Sequence, residues 1–143
     1  MATVTRYVIA PVEKVFDVIS DPRTYPEWLV GAREIRSVDE NWPVPGSRFH
    51  HRVGLAGPVS ISDHSESLEV ERPTHLALKV LARPLGRGRV DFRLTPVGDR
   101  TRIDMCEEVI GTAKVLSPLL DPSIKARNRV SLNALVAWLN EPD

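Results

Sequence analysis

The sequence is short of several things, and each shortage removes a class of protein. It has one cysteine, Cys106, in 143 residues. No intrachain disulfide can form, and no paired-cysteine metal site. A surplus of one charge is also missing, since 19 Lys and Arg balance 19 Asp and Glu. General nucleic-acid or anionic-membrane binders normally carry a basic surplus, so no nucleic-acid partner is expected. No apolar run approaches the roughly 18 residues of a membrane span, so no stable membrane insertion is expected. The stretch Met1-Ala2-Thr3-Val4-Thr5-Arg6 has no signal-peptide core, and the expected compartment is the cytoplasm. No Gly-x-Ser-x-Gly elbow is present, so a hydrolase triad of that type is unsupported. Gly86-Arg87-Gly88 lacks the rest of a phosphate-binding fingerprint and reads as a turn.

What remains has ordinary globular proportions, 42% hydrophobic and 27% charged. A chain of this length is expected to form one domain, 1–143, that buries roughly two thirds of its unfolded surface. Arg far outnumbers Lys, which hints at a GC-rich genome and says nothing of mechanism.

Thr3 to Ile9 is rich in β-branched residues and reads as a strand. Pro11 can open a helix, and Val12, Val15, Phe16 and Ile19 follow helical spacing. Asp21-Pro22 stops that helix and starts a second, short one carrying Tyr25. From Leu29 the texture changes to short β-compatible stretches between close turn signals. Strands are expected over 32–39, 47–55, 59–70, 74–82, 89–95 and 101–110. Turns are expected at Pro43 to Gly46, Gly57-Pro58, Arg72-Pro73, Pro84 to Gly88 and Gly98-Asp99. Close turns favour antiparallel pairing, and one-sided alternation means that one sheet face is buried.

The last stretch, Asp121 to Asn140, reads as the longest helix, with Asp121 as cap and Pro122 at its first position. Ile124, Leu132, Leu135, Val136, Trp138 and Leu139 fall on one arc, and only this element is long enough to cover the sheet. Asn128 and Ser131 sit inside that apolar arc. Either both bond neighbouring backbone, or the face looks into a partly polar cavity.

Ala10-Pro11-x-x-x-Val15-Phe16-x-Val18-Ile19-Ser20-Asp21-Pro22-x-x-Tyr25-Pro26-x-Trp28 resembles the opening signature of the START-like, or SRPBCC, superfamily. Pro45-Gly46-Ser47-x-Phe49, Pro73-x-x-Leu76, Leu94-Thr95-Pro96-x-Gly98-x-x-Thr101 and Ser131-Leu132-x-x-Leu135-x-x-Trp138-Leu139 follow in the family's order. The nearest branch is the polyketide cyclase/dehydrase and lipid-transport group. The resemblance implies an α+β helix-grip fold: a seven-stranded curved antiparallel sheet around a long C-terminal helix, with two short helices after the first strand. It implies a cavity between sheet and helix, and a small hydrophobic molecule as partner. Carriers, receptors and aromatase/cyclases share the fold, so the resemblance does not choose among them.

Three functions are therefore weighed. The first is binding or carriage of a lipid, polyketide-like or aromatic molecule. The second is a cyclase, aromatase or dehydratase that uses acid/base groups of the cavity. The third is a protein-interaction role without a ligand. No cofactor is expected. Metal is not expected either, because adjacent His50 and His51 point to opposite strand faces and His64 adds no ligand spacing.

Glu107 is the first catalytic candidate, since alternation sets it with Ile103, Met105 and Val109 on the inner face. Desolvation there would favour its neutral form and suit it to acid/base work. The alternatives are a partner such as Arg52, Asn128 or a water, or a bulge that turns Glu108 inward. His51, on the face of Phe49, is the second candidate. Trp28 and Tyr25 either line a cavity mouth or pin the short helix, and Trp42 reads as a loop cover. The expected ligand-binding set is Trp28, His51, Met105, Glu107, Asn128, Ser131, Leu132 and Leu135.

Overall fold

The computed structural model describes residues 2–30, 32–56, 59–81 and 87–140. Strand β1 (Ala2–Val8) leads into α1 (Val12–Ile19), whose Val12, Val15, Phe16 and Ile19 are buried, as the spacing predicts. The Asp21 carboxylate then accepts the Arg23 N–H at 3.0 Å and caps a 3-10 turn over Pro22–Thr24. Helix α2 (Tyr25–Trp28) follows directly. Six strands come next: β2 (Ala32–Val38), β3 (Arg48–Ala56), β4 (Val59–Glu71), β5 (His75–Leu81), β6 (Arg87–Val97) and β7 (Arg100–Ile110). A 3-10 segment, Gly111–Leu116, leads into α3 (Ser117–Asn140).

The seven strands form one antiparallel sheet in the order β1-β7-β6-β5-β4-β3-β2. Every neighbour but one follows in sequence, and β1 closes on β7. The hairpin at Gly98, with φ +62°, needs the left-handed backbone that glycine takes without strain. Register shifts in β2, at the end of β3 and around Ser67 and Glu69 of β4 mark bulges, which bend and twist a sheet. The protein is thus α+β and helix-grip-like, a seven-stranded sheet carrying a long C-terminal helix.

The core lies between sheet and helices. Val4, Val8, Leu76, Leu78, Val90, Phe92, Leu94, Ile103 and Met105 meet α1, α2 and the Leu132, Leu135 and Leu139 stripe of α3. A second small cluster joins Ala2, Val109 and Ile124.

Three expectations need correcting. Helix α3 starts at Ser117, four residues before Asp121, and Pro122 lies inside it. Pro118 already supplies a proline start, so Pro122 costs one internal hydrogen bond instead of opening the helix. Trp138 is exposed, because the inward arc centres on Asn128 and Leu135 and leaves Trp138 at its edge. Arg87 and Gly88 belong to β6, not to a turn. The Gly57-Pro58 turn, residues 84–86 of the expected Pro84-to-Gly88 loop, and Ala82 lie outside the described residues.

Candidate functional site

Strand alternation and helical spacing bury all eight residues of the expected set: Trp28, His51, Met105, Glu107, Asn128, Ser131, Leu132 and Leu135. A buried polar group needs a partner, since leaving it unpaired costs about 1–3 kcal/mol. Where those partners lie separates the polar members into distinct places.

Glu107 is 2% exposed. Strand β7 pairs regularly with β1 and β6 at this point, so no bulge displaces it, and Glu108 faces the other way. Two helix residues reach its carboxylate. The Arg127 guanidinium donates to Oε2 at 2.5 Å, and Asn128 Nδ2 donates to Oε1 at 3.3 Å. Arg127 is partly exposed and lies at the edge of the helix, so its charge enters from the solvent side. A carboxylate held by a guanidinium and an amide is poorly placed to shuttle a proton. It is well placed to clamp α3 onto β7, or to present an ion pair to a polar ligand group. Arg127 was absent from the sequence reading, and no local signal announced it.

Ser131 lies one turn further along α3. Its Oγ accepts the Val30 N–H at 3.0 Å and satisfies a backbone donor just beyond α2. His51 sits on β3, four strands away from β7 in the sheet. Its Nε2 lies 3.0 Å from Ser65 Oγ on β4. Burial holds the imidazole below the usual histidine range, and the Asp63 charge and a backbone hydrogen bond at Arg52 offset this only in part. A neutral ring with one nitrogen on a serine hydroxyl can accept a proton. The Ser47 hydroxyl, just before β3, is buried and has no hydrogen-bond partner among the described residues.

Trp28 belongs to an aromatic group. It meets Tyr25 edge-on at 5.4 Å between centroids and Phe92 at 6.0 Å, while Tyr25 and Trp42 both pack edge-on against Phe49. Tyr25 Oη donates to the Ile19 carbonyl, Trp28 Nε1 to Thr24 Oγ1 and Trp42 Nε1 to the Ser20 carbonyl. The Tyr25 and Trp42 bonds tie α2 and the Trp42 loop to the end of α1, and the ring contacts with Phe49 and Phe92 set both against the inner sheet face. Trp42 is thus part of the packing as well as a cover. Met105, Leu132 and Leu135 belong to the same buried apolar cluster as the aromatic group.

The outer sheet face holds charge clusters of another kind. Glu69, His75 and Asp91 bring ligand atoms within 4.8 Å of one another, a spacing that could suit a cation. Arg89 already fills that place, donating to Glu69 at 2.7 Å and to both Asp91 oxygens. Burial pushes the Asp91 carboxyl up, but the hydrogen bonds from Arg89 and His75 outweigh it and leave the group below its ordinary value. Arg48, His64, Glu66, Lys79 and Arg87 line an open groove nearby, too charged for an apolar guest.

With the fold and these positions in view, the chain can be placed. Residues 1–139 match the family described as polyketide cyclase / dehydrase and lipid transport, and the chain belongs to that family. Solved structures repeat the fold. Protein NE0264 from Nitrosomonas europaea is 18% identical, with a TM-score of 0.74 over 96% of this chain and 92% of its own. CalU16 from Micromonospora echinospora is 20% identical, with a TM-score of 0.67 over 99% and 75%. DynU16, a putative protein in the dynemicin biosynthetic locus, is 20% identical, with a TM-score of 0.69 over 96% of this chain. This chain spans about half of DynU16, 46% of its length. No curated protein matches in sequence. Among the described residues no helix is long and apolar enough to cross a membrane.

Proposed function

We propose that the protein binds and carries a small hydrophobic molecule, a lipid or a polyketide-like or aromatic compound, between the inner sheet face and α3. One observation carries the reading. Helix α3 turns Asn128 and Ser131 toward the sheet, into an interior that Met105, Leu132 and Leu135 otherwise make apolar. A helix that only filled a core would more simply carry apolar residues at both positions. Polar groups among Met105, Leu132 and Leu135 suit a guest that is mostly apolar with a few polar atoms to orient it. Family membership supports the same class of ligand.

The test is titration with an apolar fluorescent probe. Saturable binding is expected for the native chain, with loss in Ser131→Phe and in Leu132→Trp where circular dichroism shows the fold retained. Absence of saturable binding, or binding that both blocking variants leave unchanged, would remove the carrier reading.

A second reading, a cyclase- or dehydratase-type enzyme, draws on His51. Its neutral ring beside Ser65 offers a base near neutral pH. On that reading His51→Gln abolishes turnover of a bound polyketide-like substrate but leaves its affinity within a few-fold. On the carrier reading turnover is absent from the start.

A further inference from the structure

The outer side of α3 has features that ligand binding leaves unexplained. Leu119, Ser123, Ala126 and Val130 recur at helical spacing and form one exposed stripe along about 16 Å of helix. Leu119 is 78% exposed and Val130 59%. Val115, in the 3-10 segment just before the helix, is 80% exposed, and Leu116 beside it is also exposed. Large apolar side chains so open to water mark a surface that is covered in use.

The charges around the stripe say what covers it. Lys114, Lys125 and Arg129 are exposed along the same stretch of chain, Arg129 nearest the stripe, and none has an ion-pair partner among the described residues. Arg127 flanks the other side, with its charge directed to Glu107. Arg6 of β1 reaches Asn133 at the end of the stripe, donating from Nε at 2.8 Å. Asp121 is the single acidic residue between positions 114 and 130. The zero net charge of the whole chain therefore hides a local basic surplus.

We propose that this face docks on an anionic lipid bilayer. Val115, Leu116, Leu119 and Val130 enter the boundary between headgroups and acyl chains, and Lys114, Lys125 and Arg129 extend to the phosphates. The occupant is a bilayer and not a second copy of the chain. A second copy would set the same unpaired cations against each other at a like-charge cost, whereas anionic headgroups meet them with opposite charge. The contact is peripheral, since nothing in α3 is apolar enough to span. The proposal does not depend on ligand binding, and the two fail separately.

Flotation with phosphatidylglycerol/phosphatidylcholine vesicles tests it, with pure phosphatidylcholine vesicles beside them. The native chain is expected to float with the anionic vesicles at low salt, to dissociate as salt rises, and to ignore the neutral ones. Each basic residue near an anionic surface is worth about a fivefold gain in partition, so Lys125→Ala with Arg129→Ala should weaken binding roughly 25-fold. Leu119→Asp should abolish it, and Lys79→Glu on the outer sheet face should not change it. No partition into anionic vesicles would overturn the proposal. So would losses in Lys79→Glu as large as those on α3, or a dimer in sedimentation that Leu119→Asp dissolves without vesicle binding.

Discussion

Replacing Arg127 by Met examines the buried pair most sharply. The Glu107 carboxylate is 2% exposed and keeps two donors, Arg127 at 2.5 Å and Asn128 at 3.3 Å. Removing one partner of a fully buried ion pair typically costs about 3–5 kcal/mol, because the remaining charge stays desolvated. Two features here reduce that figure. The Arg127 side chain is 34% exposed, so water already screens part of the pair, and Asn128 keeps one hydrogen bond to the carboxylate. About 2–3 kcal/mol is the expected loss in urea titration at pH 7. Adding Glu107→Gln removes the unpaired charge and should restore most of the loss. A change below about 0.5 kcal/mol for Arg127→Met would refute the reasoning, since that is the ordinary scatter of surface substitutions. A double variant no better than the single one would refute it equally.

Three other outcomes are expected. Leu135 is fully buried between α3 and the sheet, and Leu135→Ala should cost about 2–5 kcal/mol in denaturant titration. Burial, with the Asp21 charge second, pushes the Tyr25 phenol far above its ordinary range. A group whose protonated form is favoured in the fold weakens that fold as pH rises above its unfolded value of about 10. In Tyr7→Phe, the only remaining phenolate absorbance is that of Tyr25, and it should appear only together with loss of the circular dichroism signal. His51 has the opposite sign. Its folded value lies below the usual histidine range, so the unfolded chain takes up a proton first and stability falls as pH drops below about 6.5. His51→Leu should flatten that part of the stability curve in thermal melts between pH 5 and pH 7, whatever it does to absolute stability.

Much of the fold could be read from periodicity alone. Period-two alternation in 101–110 set Ile103, Met105, Glu107 and Val109 on one face, and β7 buries those four. That worked because β7 is a regular central strand with a neighbour on each side. The start of α3 could not be read in the same way. Two Xaa-Pro starts, Ser117-Pro118 and Asp121-Pro122, compete there, and only packing chooses between them. Trp138 shows a related limit, because spacing gives an arc of helix and not the width of the sheet beneath it. The candidate residues followed the same division. The burial of His51, Glu107, Asn128 and Ser131 was implied by their faces. Their partners Ser65, Arg127 and the Val30 N–H were not, since each is brought in by tertiary packing from a different element. Arg127 was hardest to foresee, because a long side chain at the edge of a helix can reach inward from a position that spacing assigns to solvent.

Native mass spectrometry of the chain purified from its own host tests the central claim most directly. The account predicts a population heavier than the bare chain by the mass of one small apolar molecule, released by organic solvent and absent from Ser131→Phe. A spectrum of bare chain only, from protein that also fails to take up an apolar probe in titration, would contradict the claim that sheet and helix enclose a hydrophobic guest.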